Sequence, residues 1–398
     1  PYVSDEISKN DLKKIIDDSY KHFSNPKIAP VTRIEQNKYI LELFYGPTFA
    51  FKDYALQFLG NLFTYALPKA SKKLTVLGAT SGDTGSAAIH AFRGKQDINV
   101  FILHPHNRVS DVQRRQMTTV QDDNIFNIAI KGNFDDCQKI VKELFIDDEL
   151  QQHTSLTAIN SINWARLMSQ VVYYFWAYLQ IDEQEINFIV PSGNFGNVFS
   201  ANVAKKMGLP INQLHITTNQ NDILHSSIKN GLMKKKVVTQ TYSPSMDIQV
   251  SSNFERQLFE SSGRDSKTIN NIFHEFSKNN LYRFDKKIQH DLQSNYSTTA
   301  VSNDETLNAI KQIKQKYNYL ADPHTSTGLY ALLEKDANLP WVSLACAHPA
   351  KFGNAIEKAT GEPPVLPKDL SKLFDKEEKM TILDNNKNIL KSLILKNL

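Results

Sequence analysis

The chain has 398 residues, a formal net charge of +4, and 41% hydrophobic and 22% charged residues. That length suggests two domains and a core large enough to stand without disulfides or metal staples. So slight a charge leaves no footprint for nucleic acid, and the distant pair Cys137 and Cys346, with no C-x-x-C spacing, indicates neither a disulfide framework nor zinc or dithiol chemistry.

The N-terminal Pro-Tyr-Val-Ser-Asp-Glu lacks the basic and apolar regions of a signal peptide, and a start at Pro1 suggests that residues precede it. Residues 10–24 read as a polar helix and 39–44 as a short strand. Gly46-Pro47-Thr48 breaks that strand, and 53–67 reads as a helix because Leu59, Leu62, Phe63, Ala66 and Leu67 recur at helical spacing. From residue 74 strands and helices alternate. Strands are expected over 74–78, 98–103 and 125–130, with helices over 86–92, 109–119 and 134–145. That alternation predicts a parallel sheet covered on both faces.

Residues 164–179 form a helix so apolar that burial is expected, with Trp164, Tyr173, Phe175 and Trp176 as core. Its most apolar part, 171–179, falls short of the roughly 20 residues that span a bilayer. A strand over 188–190, a turn, a helix over 198–207 and a strand over 214–217 follow. Residues 219–300 are polar and hard to assign, and Lys234, Lys235 and Lys236 read as a solvated loop or helix end. The α/β character returns with a strand over 342–345.

Two Gly-rich turns each follow a strand and open a helix: Thr80-Ser81-Gly82-Asp83-Thr84-Gly85 and Ser192-Gly193-Asn194-Phe195-Gly196-Asn197. Glycine admits close backbone approach, and free N–H groups at a helix start attract anions. Neither turn is a P-loop or a G-x-G-x-x-G fingerprint, and either could be a plain connection. Lys52, beside Phe51 at an expected helix start, meets two conditions that disfavour an ammonium and suit a Schiff-base lysine. On spacing alone an ordinary surface lysine remains the simpler reading.

The motifs together resemble the threonine synthase family. Pro47 to Asp53 resembles its pyridoxal-lysine motif, and Ala79 to Gly85 its second signature. Asn160-Ser161-Ile162-Asn163 with Arg166, Pro191 to Gly196, Asp322-Pro323-His324 and Ala347 to Phe352 resemble four more, in family order. The match runs from about residue 40 to about 365 and points to the longer branch found in enteric bacteria and fungi, whose members begin several dozen residues further upstream.

The resemblance implies an α/β fold of the fold type II, tryptophan synthase beta-like kind, with two mostly parallel domains and pyridoxal 5'-phosphate in the cleft between them. The expected boundaries are 1–74 with 181–398 for the large domain and 75–180 for a smaller inserted one. It implies a carbon–oxygen lyase acting on O-phospho-L-homoserine and water, releasing L-threonine and phosphate; thin cysteine use suits the cytoplasm, and composition and motifs suggest no metal, nucleic-acid or membrane partner. Lys52 would carry the cofactor and shuttle protons. Gly193, Asn194, Phe195, Gly196 and Asn197 would cradle the cofactor phosphate, with Asp83 beside its phenolic oxygen and Cys346, where the family usually has Thr, beside its pyridine nitrogen. Thr80, Ser81 and Thr84 would take the substrate carboxylate; Asn160, Ser161 and Arg166 its phosphate. A Ser/Thr dehydratase or β-replacement synthase on the same fold is the competing enzyme reading, and has no substrate phosphate for that last cluster to bind. A catalytically silent binding relative would have no use for Lys52. His324 and His348 read equally as site-lining or packed residues, and Asp322 as a cap.

Overall fold

A computed structural model describes residues 2–3, 5–67, 73–336 and 338–398; Pro1 and Ser4 of the N-terminal stretch lie outside them. By Cα proximity the chain divides into two units, residues 1–28, 45–166 and 365–398 in one, 29–44 and 167–364 in the other.

The first unit holds a five-stranded, all-parallel sheet in the order Thr381–Asp384, Ile125–Lys131, Ile98–Pro105, Leu74–Ala79, Ser155–Ala158. Its central strands are apolar on both sides, as a sheet covered twice requires. On one face Val76, Val100 and Ile102 pack with Ala87, Ala88 and Ala91 of the helix Asp83–Phe92 and with Leu56 and Leu59 of the helix Lys52–Ala66. On the other, Leu77, Phe101 and Leu103 meet Ile140 and Leu144 of Phe134–Phe145 and Leu390 and Ile394 of the C-terminal helix Lys387–Lys396. This unit therefore reaches beyond the inserted domain expected over 75–180. Residues 45–74 and 365–398 belong to it because their helices share its two cores and Thr381–Asp384 extends its sheet. Arg114 locks the returning segment, donating to both Glu378 oxygens at 2.8 and 3.1 Å and holding that carboxyl down to about 2.

The second unit holds a six-stranded sheet in the order Val31–Glu35, Lys38–Glu42, Trp341–Ala345, Ile186–Pro191, Ile211–Thr218, Tyr296–Ala300, with only its first pair antiparallel. The polar region 219–300 resolves into the helices Ile223–Asn230, Phe254–Ser261, Ser266–Asn279 and Lys286–Asn295, the strand Tyr296–Ala300 and a two-stranded ribbon of Leu232–Lys234 with Leu281–Arg283. Lys234, Lys235 and Lys236 are exposed, at the end of that ribbon strand.

In each sheet the strand order reverses beside the strand that feeds a Gly-rich turn. In the first unit the chain moves outward from Leu74–Ala79 through two strands, then returns to the opposite side with Ser155–Ala158. In the second it moves outward from Ile186–Pro191, then returns with Trp341–Ala345. Open parallel sheets bind ligands at the carboxyl ends of strands beside such a reversal. Both Gly-rich turns leave strands at these two points.

The helix Trp164–Ile181 corrects the expectation of full burial. Leu167, Val171, Tyr173, Tyr174 and Ala177 face inward, but Val172 and Leu179 are 54% and 69% exposed, and Trp164 and Trp176 are exposed as well. Its buried face instead includes the polar Ser169 and Gln170, and Ser200 Oγ lies 3.3 Å from Gln170 Oε1. Mean hydropathy misjudges a helix whose inward face is satisfied by hydrogen bonds.

Candidate active site

In the first unit the turn before Lys52 is built on Asp53. The Thr48 N–H and hydroxyl each donate to the fully buried Asp53 carboxylate at 2.7 Å. Phe49 takes a left-handed backbone, φ 60°, strain of the kind found at functional sites. The turn delivers Lys52 as the first residue of Lys52–Ala66, only 8% exposed, with Nζ 5.4 Å from the Phe51 ring centroid. The apolar neighbour and the helix start are as read from sequence. The carboxylate beside them is not: Asp83 Oδ2 lies 3.3 Å from Lys52 Nζ, where it attracts the ammonium.

Asp83 opens the helix Asp83–Phe92, which has no side-chain cap. Thr80 spends its oxygen on folding the turn, accepting from the Gly82 and Gly85 N–H groups at 3.0 and 2.9 Å. Ser81 and Thr84 stand half-buried on the same turn. The adjacent strand, Ser155–Ala158, leads to Asn160, which is exposed, and Ser161, which is half-buried. Arg166 is 4% exposed and its Nη1 donates to the Ile159 carbonyl at 2.7 Å, which seats the guanidinium against this turn. The two candidate anion-holding turns therefore leave neighbouring parallel strands.

In the second unit the turn 192–195 leads into the helix Gly196–Lys206, which also has no side-chain cap. Phe195 donates its N–H to Ser192 Oγ at 3.1 Å. Its ring is fully buried against Phe254 and Tyr296. Asn194 is tied down by Asn253 N–H at its carbonyl, 3.0 Å, and by Ser252 Oγ at its side chain, 3.1 Å. The Asn197 side-chain oxygen accepts from the hydroxyls of Tyr173 and, at 2.7 Å, Tyr174, while its buried Nδ2 has no acceptor among the described residues. Burial holds the Tyr174 phenol well above its usual range, so it stays a donor. Tyr173, read from sequence as plain core, is core with this added task.

A Cβ built on Gly193 would lie 3.0 Å from both Ile248 Cγ1 and the Met246 Cα, a backbone atom. Gly193→Ala is therefore expected to lower stability by about 1–3 kcal/mol through overpacking. Urea unfolding without ligand measures this; an unchanged midpoint would show that the 244–248 segment yields freely.

Cys346 leaves the strand Trp341–Ala345, beside the strand that feeds the 192–195 turn. Its N–H donates to Thr325 Oγ1 at 2.8 Å, and the Ala347 N–H to Asp322 Oδ2 at 3.2 Å. Asp322 caps the helix Pro323–Leu333 and so also shapes the backbone at Cys346. His324 is a packed residue: Nδ1 pairs with Asp322 at 2.9 Å and Nε2 accepts the Ser245 N–H at 3.1 Å. His348 Nδ1 accepts the Ala350 N–H at 3.2 Å, and burial lowers its pKa to about 4. Sequence reasoning assigned no role to Asp53, Gln113 or the hydroxyl of Tyr173. The signals at hand were an Asp-Pro helix start at Asp322 and an S-x-x-Q capping pattern at Ser110 to Gln113.

Comparison with known proteins identifies the family the chain resembles. The model of the pyridoxal-phosphate dependent enzyme family matches residues 29–272, and that of the threonine synthase C-terminal family matches residues 325–394. A threonine synthase of Pseudomonas aeruginosa is 45% identical over 390 residues, which cover 97% of this chain and 83% of the relative. One of Saccharomyces cerevisiae is 43% identical, covering 96% and 82%. The crystal structure of a pyridoxal-phosphate-bound threonine synthase from Brucella melitensis superposes with a TM-score of 0.96 at 42% identity, covering 100% of this chain and 86% of that one.

Proposed function

The chain belongs to the threonine synthase family of fold type II pyridoxal-phosphate enzymes, and from that premise we propose that it converts O-phospho-L-homoserine and water into L-threonine and inorganic phosphate. It is a lyase, and its cofactor is pyridoxal 5'-phosphate. The residues present fit that group. Asn197 Nδ2 is a buried donor with no acceptor among the described residues, at the start of a helix with no side-chain cap, as a phosphate requires. Lys52 is a buried primary amine. When bound, the cofactor supplies an aldehyde for covalent capture of an amine and a conjugated ring that takes up electrons from Cα.

In our reading the chain's own groups act as follows. The helix start at Gly196 and Asn197, with the Gly193–Asn194 backbone, holds the cofactor phosphate. The Cys346 thiol is a weak partner for the pyridine nitrogen and does not force its protonation. Lys52 Nζ yields its place to the substrate amine and takes the Cα proton. Asp83 steadies the resulting ammonium at 3.3 Å. Ser81, Thr84 and the backbone of their turn hold the substrate carboxylate, with Thr80 shaping the turn. Arg166 holds the γ-phosphate with Asn160 and Ser161, and its planar fork of donors suits that anion. Protons leave Cα and Cβ, phosphate departs from Cγ with its bridging oxygen, and a proton returns to Cγ. Water adds to Cβ and Cα is reprotonated, so the balance is one water in and one phosphate out.

The observation that carries the substrate assignment is the buried Arg166 guanidinium on the turn next to the Thr80–Gly85 turn: two anion-holding features on neighbouring strands suit a substrate with a carboxylate and a phosphate. Among the described residues no helix is long and apolar enough to cross a membrane. Neither Cys137 nor Cys346 is in a disulfide, and burial pushes the Cys137 thiol up to about 12, in keeping with the reading of a reducing cytosol. The test is incubation of the loaded protein with O-phospho-L-homoserine. Threonine and phosphate should appear in equal amounts; 2-ketobutyrate as the main product would place the chain with the dehydratases instead.

A further inference from the structure

We infer that Gln113 is a positioning residue for the Lys52–Asp83 pair, an inference that rests on the role proposed for Lys52. Gln113 begins the second half of a capping pattern, Ser110-Asp111-Val112-Gln113, at the start of the helix Asp111–Thr118. In a closed capping box the Gln side chain turns back to the backbone N–H of the cap residue. Here it does not. Its Oε1 takes the Ser110 hydroxyl at 3.0 Å, and its Nε2 donates to Asp83 Oδ1 at 2.9 Å. Asp83 thus has one oxygen held by Gln113 and the other 3.3 Å from Lys52 Nζ.

Further observations point the same way. Gln113 is only 2% exposed, so its amide bonds within the protein. Ser110, by donating to Oε1, fixes which end of the amide faces Asp83, and only the NH₂ end can serve a carboxylate. Gly82 has φ 143°, and a Cβ there would lie 2.5 Å from Gln113 Cδ, so the turn preceding Asp83 admits the glutamine only because residue 82 is glycine. One helical turn on, Gln116 Nε2 donates to the Thr48 carbonyl at 2.9 Å and ties the same helix to the turn that carries Lys52. The helix Asp111–Thr118 therefore holds Asp83 directly and also the turn that precedes Lys52.

The consequence is chemical. A donor on Oδ1 favours the ionised form of Asp83 and fixes the direction of Oδ2. Whenever Lys52 is released as a free amine and gains a proton, that proton sits opposite a charged, immobile acceptor. Without Gln113 the carboxylate can rotate away from Lys52, and proton return to the substrate loses its alignment.

The test compares holoenzyme of wild type, Gln113→Met, which keeps bulk and removes both amide bonds, and Gln113→Glu, which keeps an acceptor for Ser110 and removes the donor to Asp83. Borohydride reduction and peptide mass mapping first locate the cofactor. Attachment to a lysine other than Lys52 in wild type defeats the functional reading and this inference with it. With attachment at Lys52, kcat should fall by up to about 100-fold in both variants, as for a small misplacement of reacting groups. KM should stay near wild type, and the ratio of the two absorption bands of the lysine-linked cofactor should change. A residue that only caps its helix would alter melting temperature and cofactor content but neither that ratio nor kcat per bound cofactor. Wild-type band ratio and wild-type kcat per cofactor in a folded variant overturn this inference alone. If Gln113→Met does not fold, the Gln113→Glu comparison decides.

Discussion

Lys52→Ala is expected to remove the absorbance of the lysine-linked cofactor and to lower kcat by on the order of 10⁴-fold, the upper range for loss of a positioned acid–base group. Lys52 heads its helix, is 8% exposed and faces Asp83 at 3.3 Å, so no solvent amine can take its place in line. The change also leaves the Asp83 carboxylate buried without its cation, which costs several kcal/mol when not relieved by water. Circular dichroism must therefore show a folded protein before the rate is read. Threonine formation at the wild-type rate by a folded Lys52→Ala variant would refute the mechanism.

Arg166→Ala is expected to lower kcat/KM for O-phospho-L-homoserine with the cofactor spectrum intact. Loss of one partner of a buried, hydrogen-bonded charge pair costs about 2–5 kcal/mol, roughly 30-fold to several thousandfold. Arg166 also ties down the Ile159 carbonyl, so part of the loss will come from loosening of the 159–163 turn. Steady-state kinetics together with cofactor titration separate the outcomes. Release of the cofactor instead of weakened substrate binding would show that Arg166 serves the cofactor phosphate.

The parts of the site legible in sequence are those whose chemistry is local. The two Gly-rich turns announce themselves because each sits between an apolar strand and a helix, and both fall at the strand reversals of their sheets. Lys52 shows Phe51 and a helix start in the sequence, but on spacing alone it reads as an ordinary surface lysine, and only the family resemblance singles it out. What escaped is what tertiary packing assembles. The Lys52–Asp83 pair joins residues 31 apart, and Gln113–Asp83 residues 30 apart; neither has a periodicity to reveal it. The core role of the Phe195 ring and the bond from its N–H to Ser192 were likewise not visible in the turn's sequence. The C-terminal strand Thr381–Asp384 is too short and too exposed to register as an apolar run, although it extends a sheet and brings Leu390 and Ile394 to a core. The helix Trp164–Ile181 misled in the other direction, since its apolar residues lie on both faces.

In the proposed reaction phosphate leaves by carbon–oxygen cleavage at Cγ and water enters at Cβ. The most direct test is turnover of O-phospho-L-homoserine in ¹⁸O-enriched water, with mass spectrometry of both products. One ¹⁸O is expected in the hydroxyl of threonine and none in the released phosphate. Label in the phosphate, with homoserine as the organic product, would mean attack at phosphorus and would contradict the proposed reaction.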